Sequence, residues 1–343
     1  MKLLTLVFVM MIYSSDIFSQ NSNFKKQPLS QKQSSQQMSE KTSSSIQQQI
    51  YTQTDISATT SQMLSSSDPI IRRQAIINLS QTRDLKYADI IEKYIEDQDK
   101  LVRMAAIESL GMMRSEKSID KILTILSKTS DNDIKNSCLI AISYMPKLNK
   151  PDKIIELALK DENENIKVVA IRTLGSFNIK SIENDMIKLV EDKKSNTFIK
   201  QSAINYLGAI KSTTSIELLL KLTKSEEKQI KISAIRALGD IGDLKASEAL
   251  RVRVGEDDAD VQIESALALA KMGDNFGLSF IYKYLDSDNI AYKNMALNII
   301  GMVGNEQSIA ILEEKIKKIT DPSLKSFMEF TKERIKARIR SKA

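Results

Sequence analysis

The residue types that most often carry chemistry are scarce in this 343-residue chain, which has no histidine and a single cysteine. The lack of imidazole removes the commonest general base, the commonest neutral metal ligand, and every Ser-His or Cys-His nucleophile pair. Cys138 alone can form neither an internal disulfide nor a thiolate zinc site. What does recur is charge: Arg72, Arg103, Lys135, Lys167, Lys200, Lys231, Lys293 and Lys325 stand at one repeated position. Such a row could grip an anionic polymer, or it could tie successive turns together. Asp68, Asp99 and Asp131 each precede a member of the row by four residues, which favours the structural use. The formal charge is +6, but residues 332–343 carry +5 and residues 1–66 carry +2, so the body between them is −1, close to neutral. A nucleic-acid groove would need many phosphate contacts along a basic face, and no nucleic-acid partner is expected.

These residues are positioned by a repeat. A small side chain falls at Ala75, Ala106, Cys138, Ala170, Ala203, Ala234, Ser265 and Ala296, at intervals of 31 to 33 residues. An Ile or Val lies four before it in seven of the eight copies, and a Leu or Ile four after in all, often with Gly next, so the three share one face of a helix. A second apolar-periodic segment precedes each copy, as in Ile119, Ile122, Leu123 and Leu126. Each unit is therefore two helices, and a period in this range marks a solenoid. Gly242-Asp243 shows the junction expected between units, with a left-handed glycine closing one helix and an aspartate capping the next. Asp68-Pro69 and Asp321-Pro322 are helix starts of the cap-then-proline kind. In this frame Cys138 is a core substitute for alanine.

The motif of Asp99, Val102-Arg103, Ala106 and Leu110-Gly111, repeated at Ile166-Lys167 to Leu174-Gly175 and Ile230-Lys231 to Leu238-Gly239, resembles the HEAT repeat, in its short form named after the phycobilisome lyases. The resemblance covers roughly residues 68–331. It implies an all-α fold, an α-α superhelix of about eight helical pairs plus a closing helix, with the second helix of each pair lining the concave side. Gln262 departs from the basic position, Tyr292-Lys293 opens the eighth unit, and Phe327 takes the small position in the last.

Outside the repeats, residues 1–19 have the layout of a signal peptide: Lys2, the apolar run Leu3–Tyr13, then small and polar residues. The run is too short for the roughly 20 residues that span a bilayer. No cysteine follows it, so an exported, periplasmic or secreted chain that is not a lipoprotein is expected. Residues 20–66 are rich in Ser and Gln and read as a disordered arm, leaving 67–343 as the solenoid.

Within the solenoid, the positions two and six residues after the Ile/Val point away from the stacked face. The row they form includes Met104, Ile140, Val168, Arg172, Ile232, Arg236, Ile263 and Leu267, with Asn136, Gln201, Asn205 and Asn298 between. If exposed, it is a partner-binding ridge for a protein or peptide, its aliphatics supplying burial and its two arginines meeting acids. The basic closing helix, ending in Arg338, Arg340 and Lys342, could touch an acidic surface weakly. A non-enzymatic scaffold without cofactor is the leading reading. The alternative is an enzyme or cofactor-handling protein related to the bilin lyases or to the iron-dependent HEAT-like hydroxylase, whose metal sites use histidine that this chain lacks. A HEAT-like glycosylase of alkylated bases fits less well, given the neutral body and the absence of tryptophan.

Overall fold

The computed structural model describes residues 60–341. The expected signal peptide, most of the expected arm, and Lys342 lie outside the described residues.

Among those residues the secondary structure is helical, with no strand. The second helices follow the sequence period: Pro69–Gln81, Lys100–Met112, Asn132–Ser143, Glu164–Ser176, Thr197–Ala209, Lys228–Ile241, Ala259–Lys271, Ile290–Val303 and Pro322–Arg340. Each packs against the second helix of the next unit, and each from the second unit on also packs against the first helix of its own. Every one of the eight small residues is fully buried, from Ala75 to Ala296 with Cys138 among them. Burial pushes the Cys138 thiol up to about 12, so it is a packed apolar group.

The N-terminal ends are built alike. Asp or Asn at the cap accepts backbone N–H bonds in every unit but the sixth, where Glu227 stands at the cap without such a bond. The opposite ends reach the left-handed region: Gly242 has φ +78° and Gly273 +79°, as the Gly242-Asp243 junction requires, and Asp243 accepts from the N–H of Lys245. The equivalent residues of four other units are not glycine. Arg83, Arg114, Asn178 and Lys211 sit at φ +54° to +57°, where a side chain other than that of glycine or asparagine is strained.

The repeated Leu-Gly has a packing reason. A Cβ on Gly111 would lie 2.4 Å from the Cα of Ala141, one on Gly208 2.8 Å from Ala237, and one on Gly239 2.7 Å from Ala268. Glycine lets successive second helices touch backbone to side chain. Gly175 is looser because it faces Tyr206, whose ring comes no closer than 3.4 Å.

Two boundaries differ from expectation. Residues 60–64 are helical, Leu64 is buried, and its carbonyl accepts from the Tyr94 hydroxyl at 3.1 Å, so the fold begins inside the expected arm. A short polar stretch hides this helix from periodicity. The closing helix also has a full partner, Glu306–Lys318, where a lone helix was expected.

Candidate partner ridge on the second helices

Part of the basic row staples the units together: Arg72, Lys135 and Lys231 each reach an acid of the next unit's turn. Arg72 donates to both carboxylate oxygens of Asp97 at 2.9 and 2.8 Å, and to the carbonyls of Ser66 and Ser67 at 2.9 and 3.0 Å. Asp97 belongs to the turn of the next unit, so one guanidinium spans two turns. Lys135 reaches Asp161 at 2.6 Å and Lys231 reaches Glu256 at 3.1 Å in the same sense. Arg103 binds the carbonyls of Asp97 and Gln98 in its own turn. The structural use is therefore what these contacts show, but with a different acid. Asp68, Asp99 and Asp131 cap their helices, and the acid two residues before the following cap is the one the row engages where it pairs across units. The side-chain hydrogen bond from Arg72 holds the Asp97 carboxyl below the usual carboxylate range.

Gln262, the departure from this row, is buried. It donates to the Val254 carbonyl at 2.7 Å and accepts from the Tyr284 hydroxyl at 2.8 Å. Tyr292 stacks edge-on against Tyr284, with centroids 5.7 Å apart, and donates to Asp260 at 2.8 Å. Two aromatic residues thus close over the place where a cation would have stood.

The expected ridge is only partly open. Met104, Ile140, Val168 and Leu267 are half-buried, and Arg172, Asn205 and Arg236 are exposed. Ile232 and Ile263, at 7% and 1% exposure, belong to the core. The second helices of units five to seven approach closely at Gly208–Ala237 and Gly239–Ala268, but those of units two and three do so at Gly111–Ala141 with Met104 still half-buried, so the glycine contacts alone do not set the burial of position two. Position six meets position three of the next unit: the Ser137 hydroxyl donates to Glu108 at 2.6 Å, and Arg236 pairs with the buried carboxylate of Glu264. Arg236, expected to await a partner's acid, already holds one. Arg172 is exposed and makes no ion pair among the described residues; the same holds of half-buried Arg73 at position two of the first unit. Periodicity within one helix carried no signal for Glu264.

The basic end is likewise committed. Arg338 donates to the carbonyls of Gly301 at 2.6 Å and Met302 at 2.5 Å, and to that of Gly304, closing the C-terminus of Ile290–Val303. Burial, followed by the nearby Arg334, lowers its pKa from the usual value. Lys332 and Lys336 turn toward Glu313, at 3.8 and 3.5 Å. Of the three C-terminal cations expected at an acidic surface, Arg338 is a cap and Arg340 is exposed.

No group of three or more His, Cys, Asp or Glu is placed to hold a metal among the described residues. No helix among them is long and apolar enough to cross a membrane.

Comparison with known proteins agrees with the architecture. No curated protein matches the chain. Among solved structures, YibA of Escherichia coli is similar at 15% identity over 75% of this chain and 96% of its own, with a TM-score of 0.44. The complex of CpcE and CpcF of phycocyanin lyase from a Nostoc species is similar at 15% over 71% and 92%, with a TM-score of 0.45. Human deoxyhypusine hydroxylase in complex with glycerol is similar at 13% over 73% and 96%, with a TM-score of 0.34. None of these likenesses bears on what the chain does. The model of HEAT repeats matches residues 56–143, 151–231 and 216–292, and with the paired helices and the buried small-residue period this makes the chain a member of the HEAT repeat family.

Proposed function

We propose that the protein is a non-enzymatic scaffold, exported from the cytoplasm, that holds a protein or peptide along its second helices. One observation carries the reading. Arg172 stands exposed at the middle of the ridge and makes no ion pair among the described residues, where Arg236 two units on is held by Glu264. Half-buried Val168 and Ile140 lie on one side of it and exposed Asn205 on the other. A guanidinium fork beside a side-chain amide suits a carboxylate on an extended peptide, and the aliphatics beside it give that peptide apolar area to cover.

The test places a photo-crosslinking side chain at Asn205 on the ridge or at Lys188 on a first helix, in the chain from Gln20 onward. The expected result is one captured species at Asn205, absent at Lys188, and reduced at least tenfold by Arg172→Glu. Equal capture from both positions, or capture indifferent to Arg172→Glu, refutes the ridge.

A further inference from the structure

The loops that join one unit to the next lie side by side, because the second helices stack on their neighbours in the same direction. Loops 82–86, 113–117, 145–150, 177–181 and 210–215 each hold more basic than acidic residues. The turns within units lie on the opposite edge, and of these 97–99, 129–131 and 161–163 hold acids and no base. Cations at helix C-termini complement the macrodipole, which accounts for the sign of the basic edge.

Two further features go beyond that account. Arg83, Arg114 and Lys211 hold the left-handed position that Gly242 and Gly273 fill in later units, and none of the three makes an ion pair among the described residues. Large charged side chains are kept at a strained backbone and left facing solvent, whereas Lys147 and Lys150 on the same edge reach back to Glu116 and Asp120. Apolar side chains are exposed along the same edge: Leu85 at 50% in the first of these loops, Met112 at 48% and Tyr144 at 44% at the helix ends that lead into the second and third, and Leu244 at 72% and Phe276 at 45% in two later junctions that carry no excess of base. Neighbouring loop tips are about 10 Å apart, the spacing of packed helices.

We propose that this loop edge is a docking surface for an anionic lipid bilayer. Free cations at loop tips meet lipid phosphates, and exposed Leu, Met, Tyr and Phe beside them enter the interfacial layer. A soluble polyanion would engage the charges and leave the apolar tips in water, so the combination favours a membrane surface. The ridge lies on the flanks of the second helices, and the two sites are independent.

The test is sedimentation with vesicles of phosphatidylcholine alone or with 30% phosphatidylglycerol. The protein is the chain from Gln20 onward, which omits the apolar run 3–13 and keeps the whole buried core from Leu64 to Ile335. Binding is expected to the anionic vesicles only, and to fall at least tenfold in the triple variant Arg83→Asn, Arg114→Asn, Lys211→Asn. Asparagine already occupies the equivalent strained position at Asn178, so that variant keeps its fold. Leu85→Ser with Leu244→Ser and Phe276→Ser should weaken binding as well. Equal binding to both vesicle types, or an unaffected asparagine variant, overturns the proposal. Heparin binding as tight as vesicle binding, together with indifference to the serine variant, assigns the edge to a soluble polyanion instead.

Discussion

The turn carboxylates are the residues whose ionisation the fold depends on most directly. The hydrogen bond from Arg72 holds Asp97 below the ordinary carboxylate range. At Asp161 burial pulls the other way, but the bond from Lys135 and the N–H of Asn163 outweigh it. A carboxyl with a depressed folded pKa stays ionised where the unfolded chain would already take up a proton. Its stabilisation is therefore complete above about pH 4 and is lost as pH falls through the lower folded values. The urea midpoint is expected to drop on acidification below about pH 4, and the drop should be shallower in Asp97→Asn with Asp161→Asn. If parent and variant share one acid dependence, these staples are not its source. Arg338 shows the reverse case: its charge serves three carbonyls on another helix, so Arg338→Gln belongs among stability variants and is unsuited as a neutral surface control.

Helix by helix, the contacts between units are set by what sits opposite the glycines. Gly239→Ala would drive its Cβ to 2.7 Å from both Cα and Cβ of Ala268, and should cost about 1–3 kcal/mol or more. At Gly175 the nearest atom would be 3.4 Å away, so Gly175→Ala should be neutral or stabilise by about 0.5–1 kcal/mol through lost unfolded-chain entropy. Thermal melts of the two variants check this, and equal losses would show that glycine spacing does not set the stack. The second helices, the buried small position and the Asp or Asn caps were legible from periodicity and cap chemistry, which act within one helix. The state of Ile232, Ile263 and Arg236 was not, because it depends on how closely the next unit's helix approaches. Glu264, which holds Arg236, sits on the next unit's helix and so lies outside any single-helix pattern. The helix at 60–64 escaped for another reason: in Thr-Ser-Gln-Met-Leu only the last two residues are apolar, and tertiary contact to Tyr94 does the rest.

As a whole molecule, the solenoid is bound together by nearest neighbours, so a unit can be removed if the new neighbours fit. Deleting residues 164–196 joins the Asn163 cap to Thr197 in register and places Ser143 where Gly175 faced Tyr206. It also removes the Ile179 carbonyl that accepts from the Tyr206 hydroxyl. The shortened chain should fold cooperatively with a lowered melting temperature, and Tyr206→Ala, the residue type found at Ala237 and Ala268, should raise it again. A melt that splits into several steps would show that the units of the shortened chain are no longer coupled to their neighbours. The uneven layering has a mechanical side. Second helices press on one another at glycine contacts, while first helices meet one another only thinly. A stack clamped along one layer and loose along the other bends like a leaf spring, with the glycine contacts as its stiff line. Tension applied between the two ends is then taken up by fanning of the first helices before any unit unravels, so the force-extension curve should begin with a soft, reversible regime.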